Sequence, residues 1–224
     1  PTPNNMTLNV QQLRIEYPEQ LLFDDLSFVI EPGTLLGIQT AVLDGATSLL
    51  KGIAGMLNNI DGQVDLFNSN VLTMNDDARA RQIGFVYEEH GLISLYNVYQ
   101  NIALPLEFHT DLSPTETRAL IEATFAELQL SMSLLEAQPQ ELNDVQTRLV
   151  NLARALVIGP KLLLIDELEG GMPDEQIDET MALLTHKKNQ TDMIILMTSS
   201  NEHILREADR MLKIENNQLI EIAF

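Results

Sequence analysis

Apolar positions along the chain recur first with the period of a strand and then with the period of a helix. Near the N-terminus "LNVQQLRIEY" and "LSFVI" carry alternating or β-rich apolar residues, and "EPGT" at 31–34 marks a turn. "TLLGIQ" is a short apolar run, and "SLLKGIAGML" beyond it places apolar residues at helical spacing. "GQVDLFNSNVLTM" reads as a strand with its turn, and "IGFVY" at 83–87 as a buried strand. From about 97 to 158 the pattern is helical. In "SPTETRALIEATFAELQL", Ser113 is the predicted N-cap, with Pro114 at the first helical position and Glu116 completing a capping box. "DVQTRLVNLARALVIGP" is a second helix, stopped by Gly159 and Pro160. Strand "KLLLID", helix "DEQIDETMALLTHKK", strand "DMIILMTS", helix "NEHILREA", strand "RMLKI", a turn at Asn216 and Asn217, and strand "QLIEI" complete the chain. Strands alternating with helices around near-continuous apolar runs imply a parallel sheet covered on both faces.

Composition narrows the function classes. At 224 residues the chain suits one large domain with a proper core. Its formal charge of −20 disfavours nucleic acid or an anionic membrane surface as a direct ligand. With no cysteine there is no disulfide framework, which fits a reducing compartment. "PTPNNMTLNV" lacks the basic and apolar regions of a signal peptide, and no stretch approaches 18 uninterrupted apolar residues. A membrane role would therefore come through a partner rather than by insertion.

The order of the pieces resembles the nucleotide-binding subunit of an ABC transporter over essentially the whole chain. "GIQTAVLDGATSLLKGIAGML" lies at the family's phosphate loop, G-x-x-G-x-G-K-[ST]-T-L-L, and "IGFVYEEHGLISLYNVYQNIALPL" resembles the glutamine-loop segment. "LNDVQTRLVNLARAL" aligns without gaps on the L-S-G-G-Q signature and its helix. "PKLLLIDELEGG" resembles the Walker B strand, and "MTSSNEHILREADRMLKI" the switch-histidine strand and the helix after it. "NVYQNIALPL" is also similar to the ATPases of bacterial lipid-transport systems of the MCE type. The resemblance implies an ABC-type P-loop NTPase fold: a mainly parallel α/β core sheet flanked by helices, with an antiparallel β subdomain and a helical subdomain. The core and β subdomain would take about 1–87 and 159–224, and the helical subdomain about 88–158.

It also implies site positions, and most of them carry the wrong chemistry. Tyr17 stands where the family stacks an aromatic on adenine. A phosphate loop works because glycines let backbone N–H groups close around phosphates at a helix N-terminus while a lysine neutralises charge. Here Gly45 keeps one glycine, and Thr47, followed by Ser48, keeps the magnesium-ligating hydroxyl type. Thr40 and Leu43 replace glycines and Ala46 replaces the lysine. Lys51, five residues on, points about 140° away around the helix. Glu88 stands at the glutamine position, and Ser199 at the switch histidine, with His203 one helical turn later on the surface. Asn143, Asp144 and Val145 replace the signature Ser-Gly-Gly, and Pro173 the D-loop aspartate. Asp166 and Glu167 survive as a Walker B pair, Asp166 the metal-holding residue and Glu167 the one that polarises water.

General-base and electrostatic groups are each worth about 10²–10⁴-fold, and groups acting as a unit fail together. The expectation is a non-hydrolysing cassette subunit that serves a membrane permease as a structural or regulatory partner, Glu167 being vestigial. No resident cofactor is expected; ATP and Mg²⁺, held through Thr47 and Asp166, are the ligands if nucleotide binding survives. Two alternatives stand beside it: a divergent active ATPase driving transport, and a soluble binding protein that reuses the fold. The apolar loop Leu92–Tyr96, running on to Tyr99, is the expected permease contact, whereas Val98, Ile102 and Leu106 repeat at core spacing. A homodimer or a cassette heterodimer would complete the assembly, with no nucleic acid, on the cytoplasmic face of the membrane.

Overall fold

The computed structural model describes residues 6–41, 44–88 and 91–223. Its strands are β1 (Leu8–Tyr17), β2 (Gln20–Ile30), β3 (Leu35–Gln39), β4 (Ile60–Leu66), β5 (Ser69–Asn70), β6 (Ile83–Val86), β7 (Leu162–Asp166), β8 (Ile194–Ser199), β9 (Arg210–Glu215) and β10 (Gln218–Ile222). The helices are α1 (Ala46–Ile53), α2 (Asp76–Gln82), α3 (Val98–His109), α4 (Pro114–Glu127), α5 (Asp144–Val157), α6 (Asp174–Thr191) and α7 (Glu202–Arg206). Short 3₁₀ helices at Met132–Glu136 and Pro139–Glu141 link α4 to α5.

One sheet runs β10-β9-β3-β8-β7-β6, and all of its pairings except β9–β10 are parallel. The other, β2-β1-β4-β5, is antiparallel. The central strands explain why a parallel sheet needs near-continuous apolar runs. Successive side chains of a strand point to opposite faces. On β7, Leu162 and Leu164 pack into one core with α1 and the antiparallel sheet, while Leu163 and Ile165 enter the other with α3, α4 and α5. On β8, Ile194 and Leu196 join the first core, and Ile195 and Met197 the second.

Between β6 and β7 the chain leaves the sheet to build α3, α4 and α5. Capping boxes start all three: Asn97 with Gln100, Ser113 with Glu116, and Asn143 with Gln146. Val98, Ile102 and Leu106 on α3 are fully or almost fully buried, as their four-residue spacing predicts. Phe125 of α4 is fully buried in the same core. Helix α2 was not anticipated: "DDARARQ" has no apolar stripe, and none of its residues is buried. It is held by Asn75 as N-cap, by the Arg79–Asp76 pair, and by Arg79 donating to the carbonyls of Val71 and Met74.

Parallel strands all end on one edge. That edge carries the residue after β3 (Thr40), the ends of β7 (Asp166) and β8 (Ser199), and Glu88 beyond β6. In open α/β sheets this carboxyl edge is where ligands bind.

Candidate functional site

A cavity of about 350 Å³ sits at that edge, lined by Thr40, Ala41, Asp44 to Ser48, Glu88, Asp166 and Glu167. β3 feeds into it and α1 leaves from it. The turn requires Gly45, which caps α1 at φ 87°, a conformation that L side chains resist. Leu43 lies outside the described residues. Ala46, at the lysine position, is buried at the start of α1, so no cation enters the cavity from there.

The decisive side chain is Asp44, which the motif comparison passes over because it occupies a variable position between two glycine positions. Its carboxylate accepts hydrogen bonds from the backbone N–H of Ala41 (2.6 Å) and of Ala46 (3.0 Å). These are donors of the loop and the helix start, the kind that a phosphate loop presents to phosphate. A carboxylate of the chain itself satisfies them.

The Walker B pair is held firmly. Asp166 is buried, and both of its oxygens are satisfied: Oδ2 by the Thr47 hydroxyl (2.8 Å) and Oδ1 by the Thr198 hydroxyl (2.8 Å). Glu167 has a left-handed φ of 47°, a strained geometry for a non-glycine residue. It is fixed from both sides, its N–H donating to the carbonyl and hydroxyl of Thr198 and its C=O accepting from Arg148 Nη1 (2.6 Å). A Cβ on Gly170 would fall on the Arg148 guanidinium, so a side chain there would displace that arginine. Burial, then the neighbouring Glu88 carboxylate, pushes the Glu167 carboxyl above its ordinary range, and the hydrogen bond from Thr40 Oγ1 (3.2 Å) opposes this only in part.

Ser199, at the switch position, is fully buried. Its hydroxyl donates to Glu169 and accepts from the N–H of Asn201, so it is engaged inside the protein. Glu169 Oε2 is buried with no hydrogen-bond partner among the described residues. His203, one helical turn after Ser199, is paired on the surface. Its Nε2 pairs with Asp178 of α6 at 2.6 Å, which holds its pKa above the usual imidazole value. Tyr17, at the end of β1, is partly exposed, and its hydroxyl shares a hydrogen bond with Ser48 Oγ (3.1 Å).

Signature positions Asn143, Asp144 and Val145 form the start of α5. The Asn143 side chain accepts from the N–H of Gln146 (2.8 Å), and the Gln146 side chain accepts from the N–H of Asn143 (3.0 Å). Asn143 is thus an ordinary N-cap, and the helix consumes part of its own donor set.

Electrostatically, the cavity and its margin hold Asp44, Glu88, Asp166, Glu167 and Glu169, and none of the described residues lining the cavity is a lysine or arginine. No group of three or more metal-ligating side chains is placed to hold a metal ion among the described residues. Two donors of the loop, the N–H groups of Ala41 and Ala46, are thus occupied by Asp44 in a cavity whose described charged side chains are carboxylates.

The expected permease contact divides in two. Leu92 packs against the core and Val98 is fully buried, whereas Leu95 is 88% exposed and Ile93 and Tyr96 are exposed beside it. Tyr99 lies under the Arg118 guanidinium, 5.2 Å from the ring centre. No helix among the described residues is long and apolar enough to cross a membrane.

Known proteins match this architecture. The sulfate/thiosulfate import ATP-binding protein CysA of Xanthomonas campestris is 27% identical over 221 residues, covering 97% of this chain and 64% of CysA. The chain thus spans somewhat under two thirds of the length of that relative. The lipoprotein-releasing system ATP-binding protein LolD of Hyphomonas neptunium is 28% identical over 196 residues, 86% of this chain and 85% of LolD. Among solved structures, the dimeric ATP-binding cassette MJ0796 bound to ADP and Pi superposes with a TM-score of 0.88 at 20% identity, covering 96% of this chain and 97% of that one. The family model described as ABC transporter matches residues 23–169, from β2 to just past the Walker B pair. The chain therefore belongs to the ABC transporter family, as one of its ATP-binding cassette domains.

Proposed function

We propose that this cassette is the non-hydrolysing partner of a membrane permease, contributing structure or regulation from the cytoplasmic face rather than ATP turnover. The observation that carries this reading is Asp44, whose carboxylate is bonded to the N–H groups of Ala41 and Ala46. The missing lysine, Glu88 at the glutamine position and the engaged Ser199 support it. Because CysA and LolD are named as ATP-binding proteins, and the MJ0796 cassette is a dimer with ADP and Pi, pairing with a second cassette belongs to the proposal. In a mixed dimer each composite site takes its Walker elements from one subunit and its signature from the other. This chain carries altered versions of both, so it would silence both sites. The division into a core with β subdomain (about 1–87 and 159–224) and a helical subdomain (about 88–158) fits the proposed role, the helices presenting the permease contact.

One observation favours a second reading, a divergent active ATPase. Thr47 and Asp166, the magnesium-holding positions of the family, lie within 2.8 Å of each other. Phosphate release by the purified chain separates the two. The first reading expects turnover at background with millimolar Mg-ATP, and no loss on Glu167→Gln. Turnover near ~1–10³ s⁻¹ that Glu167→Gln abolishes would establish the second instead.

A further inference from the structure

The helical insertion leaves the sheet after β6 and returns to it at β7, and α5 packs directly on β6. A Cβ at Gly84 would lie 2.7 Å from the Ala155 carbonyl. Around that point the helices and the sheet share one apolar core. Apolar burial is non-directional, so it brings the two parts together without setting their angle. Directional bonds set the angle. Among the described residues three polar side-chain ties join the insertion to the rest: His109 of α3 to Asp77 of α2 (2.7 Å), Glu127 of α4 to Lys187 of α6 (2.5 Å), and Arg148 of α5 to the Glu167 carbonyl (2.6 Å).

In the first two the carboxylate is open to water, and such pairs contribute little. The Arg148 tie is charge-assisted and partly buried, and it stands far along α5 from the Gly84 contact. About 10 Å of helix separates Arg148 from Ala155, so a tilt of about 10° at Gly84 would carry Arg148 about 2 Å and break its bond.

The accepting end is as particular. Glu167 holds a left-handed φ of 47°, with its N–H bound to Thr198 of β8 and its C=O to Arg148. The guanidinium also lies against Gly170, where the absence of a side chain makes room for it. Backbone strain of this kind persists only where the surroundings impose it.

We propose that Arg148 is a brace that holds the helical insertion at one angle on the core without any ligand, and that the same bond holds Glu167 in its left-handed geometry. Made, it fixes both; broken, it frees both together. The brace rests on the non-hydrolysing role proposed above, in which the subunit works through a fixed shape.

The chain has no cysteine, so two can be introduced for spin labels, Leu120→Cys on α4 and Met56→Cys beyond α1, both at exposed positions. Double electron–electron resonance should give one narrow distance in the otherwise wild-type chain, unchanged by millimolar Mg-ATP. Arg148→Gln should broaden or shift it, and Arg148→Lys, which keeps a charged donor, should do so less. Gly170→Ala is a second route to the same state. Its φ lies outside the left-handed region, so alanine acts through the clash with Arg148 and should reproduce Arg148→Gln. In both variants hydrogen exchange across residues 167–172 should speed about tenfold or more, as loss of a bond to a charged group implies. Lys187→Ala, which opens an exposed tie, should leave distance and exchange unchanged.

A narrow, unmoved distance in both Arg148→Gln and Gly170→Ala overturns the proposal, as does a broadened distance without faster exchange at 167–172. So does equal loosening in Lys187→Ala, or a wild-type distance that shifts with Mg-ATP. If the wild type hydrolyses ATP while its distance stays fixed and the two variants loosen, the non-hydrolysing role falls and the brace stands. Background turnover with no loosening in either variant gives the reverse.

Discussion

Replacing Asp44 by alanine removes the carboxylate that closes the phosphate loop, and the structure sets the size of the effect. Two hydrogen bonds disappear, from the N–H groups of Ala41 and Ala46. A bond to a charged group is worth about 1.5–3 kcal/mol where the freed partner stays dry. Here Asp44 is only partly buried and the cavity is open, so water can reach both donors. Loss of a helix N-cap is the closer comparison, at about 0.5–2 kcal/mol. For a domain of this size each kcal/mol moves Tm by about 2–4 °C, which gives a fall of about 1–8 °C. Asp44→Asn carries the same change of charge but keeps an oxygen acceptor, so it should fall less. That difference separates the hydrogen bonds from relief of like-charge repulsion.

The same substitution frees two loop donors for an anion. In millimolar pyrophosphate, Asp44→Ala should regain stability that the wild type does not. At ten times its Kd a ligand adds about 1.4 kcal/mol, enough to restore part of the lost Tm. The assay is thermal unfolding by circular dichroism, with and without pyrophosphate, at fixed ionic strength. If Asp44→Ala melts with the wild type, the carboxylate holds nothing. If the wild type gains as much from pyrophosphate as the variant, Asp44 does not occupy the anion's place. Either result refutes the reasoning from Asp44.

Two further substitutions probe the Walker B end. Glu167 has a folded pKa raised by burial and by Glu88, so the folded state binds its proton more tightly than the unfolded chain does. Ionising it therefore costs stability: the penalty is absent below the unfolded carboxyl value and grows as pH rises through the folded one. Glu167→Gln should accordingly raise Tm at pH 7.5 and lose its advantage below about pH 4.5, as melts across that range will show. Thr198→Val removes the hydroxyl that donates to buried Asp166 Oδ1, its only donor among the described residues, and that accepts from the N–H of half-buried Glu167. Leaving such groups short costs about 1–3 kcal/mol, read as a lower urea midpoint at unchanged slope.

Much of the fold was legible because its signals are local. The Ser113-Pro114-Glu116 box, the Gly159–Pro160 stop and the apolar runs of β7 and β8 each speak within a few residues. Helix α2 was missed for the opposite reason, since it hangs on Arg79 reaching back to carbonyls rather than on a buried face. Asn143 was read as a lost signature serine, although its three-residue spacing to Gln146 is a capping-box signal visible in the sequence. Asp44 gave no such signal. Its role depends on the backbone turning at Gly45 until two N–H groups converge on one carboxylate. The contacts of Ser199 with Glu169 and of Arg148 with Glu167 join residues about 30 and 19 positions apart, which pairing in space alone determines.

The two altered cradles share a physical logic. A phosphate-binding backbone is unstable by itself, because convergent N–H groups without an anion stay unsatisfied and repel one another. A cassette that binds nucleotide can leave those donors open, since the ligand satisfies them in use. A cassette that does not bind nucleotide is relieved by filling them from within. At the loop Asp44 does this with a full charge, and at the start of α5 Asn143 and Gln146 do it with amide oxygens. Loss of a lysine alone would weaken phosphate binding and leave the donors waiting. Donors occupied on both sides of the site, beside a lining with no cation, make a nucleotide compete against the fold itself. On the role proposed above, the cassette shape is kept for its surfaces rather than for its nucleotide site.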